Sequence, residues 1–119
     1  MAKVIDGIWG KIIISNEVIA KLAGIAATEC FGIVGMVSSR LFTDGLNVLL
    51  GRDDLAKGVE ITKNEEELKI KVNVVVGYGI KISMVAQNVI DNVKYVVEKH
   101  TGLKISQVDV NVQGVKIID

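Results

Sequence analysis

The sequence predicts an α+β two-layer sandwich, with two helices on one face of a mixed sheet of about five strands, in the order β-α-β-β-β-α-β. Two segments repeat apolar residues at three- and four-residue spacing, and several β-branched runs alternate apolar with polar positions. A length of 119 residues with a single cysteine leaves room for one core and no internal disulfide. One domain spanning 1–119 is therefore expected.

The first nine residues are expected to be flexible, and Lys11 to Ile14 forms a short β-branched strand. Ser15 and Asn16 carry side-chain oxygens suited to capping a helix, and Glu17 suits the positive end of its dipole. Ile19, Leu22, Ala23, Ala26 and Cys30 then follow at helical spacing, which places the first helix from about Asn16 to Cys30. Gly32 ends it, and Ile33 to Val37 reads as a strand. From 38 to 57 the pattern is broken by Gly45, Gly51, Asp53 and Asp54. An irregular loop with one or two helical turns is expected there, a candidate mobile or binding element.

Gly58 to Thr62 and Leu68 to Val76 read as strands of a hairpin joined by the charged link Lys63 to Glu67. In the second of them Leu68, Ile70, Val72, Val74 and Val76 alternate with Lys69, Lys71 and Asn73, so one face is buried and the other wet. Gly77-Tyr78-Gly79 stops this strand. A helix of roughly 18 residues follows, with Ile82, Val85, Val89, Val93, Val96 and Val97 on one stripe and Gln87, Asp91, Lys94 and Glu98 away from it. Gly102 is its expected left-handed cap, and protonated His100 would favour the negative end of the dipole. The last strand runs from Ile105 to Gln113, with Val108, Val110 and Val112 inward and Gln107, Asp109, Asn111 and Gln113 outward.

Composition narrows the function. Apolar residues make up 50% of the chain and aromatics 4%, so the core must be aliphatic. Fourteen basic residues balance 14 acidic ones, and the cations are spread along the chain, which argues against nucleic acid as a partner. No apolar run has the roughly 18 residues of a membrane span, and the start lacks the long apolar region of a leader. The cytosol is the expected compartment, without direct membrane insertion. So much aliphatic content in a small domain leaves apolar surface for a partner, and self-association is the simplest form of that.

Few groups suggest chemistry. Gly77 and Gly79, with Lys81 and Ser83 just beyond, form the best candidate for an anion or phosphate site, because a glycine turn before a helix can present backbone N–H groups. The spacing is not that of a Walker loop or a dinucleotide fingerprint, and a tight turn explains the glycines equally. Gly32-Ile33-Val34-Gly35 matches the GxxG loop of KH modules in form, yet its variable positions are aliphatic and no cation adjoins it. Lys69, Lys71, Asn73, Asp109, Asn111 and Gln113 would share the open sheet face, a candidate docking surface or an ordinary solvated one. Trp9 would anchor a partner or pack over the sheet edge. Cys30 reads as a small buried hydrophobe, His100 has no metal-ligating neighbours at the right spacing, and Glu65 to Glu67 cap a turn. No catalytic, cofactor or metal residues are expected.

Taken together, several stretches resemble the bacterial alkaline-shock protein family over about residues 10 to 118. They are Gly10-Lys11-Ile12-Ile13-Ile14-Ser15 with Glu17-Val18-Ile19, Gly32-Ile33-Val34-Gly35-Met36, and Gly58-Val59. They continue with Tyr78-Gly79-Ile80-Lys81-Ile82, Val85-Ala86 and Val89, then Thr101-Gly102, and Val108 to Val112 leading to Gly114-Val115. Ile14-Ser15-Asn16-Glu17-Val18-Ile19-Ala20, Asp44-Gly45-Leu46 and Val112-Gln113-Gly114-Val115 are similar to a short subgroup often encoded beside a dihydroxyacetone-kinase-like, fatty-acid-kinase-type protein. The resemblance implies a non-enzymatic, abundant cytosolic protein of Gram-positive bacteria, tied to envelope homeostasis and alkaline stress. It also implies association with such a kinase or with a membrane-anchored partner. No catalytic residue is carried over, since the shared positions are glycines and apolar residues. The expected role is a scaffold working through protein contacts; the alternative is a phosphate- or nucleotide-binding regulatory module at Gly77-Tyr78-Gly79.

Overall fold

A computed structural model describes residues 2–7, 9–38, 49–64 and 67–117. Strand β1 (Ala2–Asp6) pairs antiparallel with β2 (Lys11–Ser15), and α1 (Asn16–Thr28) follows directly. Then come β3 (Ile33–Met36), a 3-10 helix (Arg52–Gly58), β4 (Val59–Asn64), β5 (Glu67–Gly77), α2 (Ile82–Thr101) and β6 (Gln107–Lys116).

The α+β class and the mixed sheet hold, with two differences from the expected arrangement. Within residues 1–9 the chain forms β1, and Lys11–Ser15 pairs with that strand instead of joining the main sheet, so the six strands among the described residues divide into a hairpin and a four-stranded sheet. The expected loop at 38–57 contains the 3-10 helix, while 39–48 and Glu65–Glu66 lie outside the described residues.

The main sheet is built around β5. Along one edge runs β6, parallel, from Lys69 to Gly77. The other edge is shared end to end by two antiparallel strands: β4 pairs with Glu67–Val72, and β3 with Val74–Val76. An 11-residue strand can accept two short partners in a row because each needs only a few residues of ladder.

Alternation in β5 works as the sequence suggests on the helical side. Leu68, Ile70, Val72, Val74 and Val76 are buried in one cluster with Ile19, Ala23, Ala26 and Ala27 of α1 and Val85, Val89, Val93 and Val97 of α2. Each fully buried valine contributes on the order of 1.5–3 kcal/mol by leaving water. Ile82, expected on this stripe, is exposed because it starts the helix beyond the end of the core.

Small residues decide how close α1 can come. Its buried face is Ile19, Ala20, Ala23, Gly24, Ala26 and Ala27, and a Cβ on Gly24 would lie 2.9 Å from the Leu55 Cβ of the 3-10 helix. Ser15 caps this helix, its Oγ accepting from the Val18 N–H at 3.3 Å. α1 and α2 run antiparallel, tied by Asn92 Nδ2, which donates to the Ala26 carbonyl at 2.8 Å. α2 ends at Gly102 with φ +73, whose N–H donates to the Glu98 carbonyl. Glu98 is half-buried, and its Oε2 accepts the Ile105 N–H at 2.9 Å, fixing the connection into β6.

Candidate functional site

Register puts the predicted polar residues on one face: Lys69 is opposite Gln107, Lys71 opposite Asp109, and Asn73 opposite Asn111. Only part of this face is wet. Lys71 and Asp109 are exposed and Lys69 half-buried, whereas Asn73 is 0% exposed, and Asn111 and Gln113 are half-buried. Asn73 is therefore corrected from a docking residue to a structural one.

The reason is the seam between β3 and β4. The Asn73 backbone carbonyl accepts from the Val37 N–H at 3.2 Å, extending the β3 ladder. Asn73 Nδ2 donates to the Gly58 carbonyl at 3.1 Å and to Glu60 Oε2 at 3.3 Å, on the β4 side of the seam. Its Oδ1 accepts from Asn111 Nδ2 at 3.0 Å and Gln113 Nε2 at 3.2 Å, both on β6. Gln113 reaches it because β6 bulges where Val75 pairs with Gly114. Beside this network a groove of about 350 Å3 is lined by Val37, Leu49, Val75, Gln113, Gly114, Val115 and Lys116. The sheet's outer face thus carries this mixed groove at one end and the charged residues Lys69, Lys71 and Asp109 at the other.

The anion candidate loses donors to the fold. The Gly77 N–H donates to the Gly32 carbonyl at 2.9 Å, the Tyr78 N–H to the Lys116 carbonyl at 2.8 Å, and the Ile80 N–H to the Gly77 carbonyl at 3.4 Å. Gly79 has φ +86 in open surroundings, and Lys81 and Ser83 are exposed. The GxxG stretch is likewise structural: Gly32 has φ +91 and leaves no room for a Cβ, which would lie 2.8 Å from Val85 Cγ2.

Burial raises the Cys30 thiol above its ordinary value, against a smaller opposing effect from Asn92. Its Sγ donates to the Ala26 carbonyl at 3.5 Å and to that of Asn88 at 3.8 Å, contacts that hold the protonated thiol. Among the described residues, no group of three or more His, Cys, Asp or Glu could hold a metal ion.

Exposed apolar side chains collect elsewhere. Trp9, in the turn of the β1–β2 hairpin, is 98% exposed and packs over no sheet edge. Val4 and Ile13 face each other across the hairpin on its outer side, both exposed, while Ile5 and Ile14 pack against the core. Phe31, Tyr78 and Tyr95 are exposed too, so every described aromatic residue is at the surface. Sequence reasoning singled out Trp9 but missed Val4 and Ile13, because Val4-Ile5 and Ile12-Ile13-Ile14 are unbroken apolar runs that do not say which of their faces finds cover.

The fold and surface define a small α+β domain with an aliphatic core and outward aromatics. The chain belongs to the alkaline shock family of proteins, a family described by its cell envelope-related function, whose pattern it matches over residues 5–117. It is 45% identical to the uncharacterized protein YloU of Bacillus subtilis over 109 residues, covering 92% of this chain and 91% of that one. It is 38% identical to the uncharacterized protein Spy1614 of Streptococcus pyogenes, covering 92% and 90%. A second Bacillus subtilis protein, the uncharacterized YqhY, is 32% identical over 90% of this chain and 78% of its own. No solved structure matches the chain.

Proposed function

We propose that this protein serves the cell envelope as a non-enzymatic scaffold that self-associates and holds partner proteins through the outer face of the β1–β2 hairpin. The observation that carries this reading is the hairpin itself. Two short strands standing apart from the main sheet are marginal alone in water, yet this pair turns Val4, Ile13 and Trp9 outward. Such residues are what a protein interface buries first.

The family's envelope-related function supports the same reading. Among the described residues no helix is long and apolar enough to cross a membrane. In this proposal the scaffold reaches the envelope from the cytoplasm through what it binds. A dihydroxyacetone-kinase-like protein or a membrane-anchored protein is the expected associate.

Sedimentation of the full chain across a concentration series, together with affinity capture against that kinase-like protein, tests the proposal. Association that weakens when Trp9 and Ile13 are replaced supports it. A strict monomer at high concentration that also captures no partner overturns it.

A further inference from the structure

Among the described residues β3, β4 and β6 each pair only with β5, so each leaves one edge of the main sheet free. Two of these edges are blunted. β3 has four residues, and β4 has six with Lys63 on the inner face, opposite Leu68, where a charge discourages a further strand. β6 has 10 residues, and its inner positions, Val108, Val110, Val112 and Val115, carry no charge. The bulge after Val112 bends only its last residues.

The hydrogen bonds of β5 fix which groups this edge offers. The Asn73 carbonyl accepts from Val37 and the Gly77 N–H donates to Gly32, both on the β3 side. The Leu68 carbonyl accepts from Ser106 and the Tyr78 N–H donates to Lys116, both on the β6 side. Even-numbered residues of β5 therefore bond to β6, and a parallel ladder joins Ile70, Val72 and Val74 to Gln107, Asp109 and Asn111. The N–H and C=O groups of Val108, Val110 and Val112 consequently point away from the sheet. The apolar layer also thins here: the inner residues of β5 are at most 1% exposed, whereas Val110 and Val112 are half-buried and Val115 is 51% exposed.

We propose that β6 of a second copy completes this edge, antiparallel about a two-fold axis through Val110, so that two four-stranded sheets become one. A row of backbone donors and acceptors at every second residue is satisfied by another strand, which sets this edge apart from an apolar patch that any surface could cover. Val110 exchanges both backbone bonds with its own mate, and Val108 does so with Val112 of the second copy, about six hydrogen bonds in all. Charge and shape select the axis. It sets Asp109 opposite Asn111 of the second copy, whereas an axis at Asp109 would face that carboxylate with itself. An axis at Asn111 or Val112 would draw the bulge into the ladder. The edge is thus complementary to itself, as a closed pair of identical chains requires. This goes beyond the scaffold reading, whose contact between copies is the hairpin, and uses a different surface.

The test is sedimentation of the full chain carrying Ile13→Lys, which removes the hairpin contact. A dimer is expected, and a monomer once Val110→Lys gives β6 the inner charge that β4 has in Lys63, with the circular dichroism spectrum unchanged. A second readout uses mild oxidation in a Cys30→Ala background. Val110→Cys should form a disulfide-linked dimer, because a hydrogen-bonded pair sets its Cα atoms about 5.5 Å apart. Val108→Cys should not, because it lies roughly 14 Å from its mate. If Val110→Lys fails to fold, the two cysteine variants decide. A monomer in the Ile13→Lys background overturns the proposal and leaves the edge to an extended peptide or to no partner. A dimer that survives Val110→Lys, or Val108→Cys linking as readily as Val110→Cys, also overturns it. Association unaffected by Ile13→Lys but lost with Val110→Lys would remove the hairpin reading alone, so the two failures are distinct.

Discussion

Asn111 donates its side-chain amide to the Oδ1 of Asn73 at 3.0 Å, and through that bond β6 is held to a residue that also bonds Val37, just past β3, and Gly58 and Glu60, at the start of β4. The Asn73 side chain makes four hydrogen bonds while fully buried. A buried amide so satisfied fixes a unique arrangement of strands, because every alternative register leaves a polar atom without a partner.

Replacing it shows what the seam requires. Asn73→Ala leaves the Gly58 carbonyl and the Asn111 and Gln113 amides short of a partner, and should cost about 2–4 kcal/mol in urea unfolding with an unchanged m value. Lys71→Ala, two residues away on the same face and exposed, should stay within roughly 0.5 kcal/mol of wild type.

Two glycines with the same backbone strain separate conformation from space. Gly32 (φ +91) and Gly102 (φ +73) both occupy the left-handed region, but a Cβ at Gly102 meets nothing within 4 Å whereas one at Gly32 meets Val85 and Ile80. Gly102→Ala should cost about 1–2 kcal/mol. Gly32→Ala should cost about 1–3 kcal/mol more, from overpacking. Thermal unfolding of the pair checks the order, and equal losses would mean that the α2 start yields freely.

Cys30 should make the fold sensitive to alkali. Its thiol titrates at higher pH in the folded chain than in the unfolded one, so the folded state holds its proton longer. The stabilisation is complete below the unfolded thiol's titration and fades as pH rises through the folded one. Cys30→Ala should flatten that alkaline slope. A thiol reagent at mildly alkaline pH should label native protein more slowly than urea-unfolded protein.

The hairpin's outer face should be dispensable for folding. Val4→Ser and Ile13→Lys remove side chains that are already exposed, so helix content should be unchanged and stability within roughly 0.5 kcal/mol of wild type, while sedimentation shifts toward the monomer. A large loss of stability would show that the face is covered within the monomer.

Much of the architecture was legible in the residues. Ser15 as cap, the four-residue recurrence of Val85, Val89, Val93 and Val97, Gly102 as left-handed terminator and the alternation from Leu68 to Val76 all express local geometry, which a short window of sequence contains. The α+β class follows from them, as does the family through its glycine and apolar positions.

Other features depend on which strand lies beside which, and no window contains that. Lys11–Ser15 has the same residues whether it joins the main sheet or pairs with Ala2–Asp6. Asn73 alternates with Val72 and Val74 like any wet-face residue, and only the end-to-end meeting of β3 and β4, with the bulge at Gln113 opposite, surrounds it with partners. Phe31, Tyr78 and Ile117 are far apart in the chain and share one end because β5 and β6 run parallel and both stop where β3, antiparallel to β5, begins. Periodicity records which way a side chain leaves the backbone; what meets it outside is decided by long-range pairing.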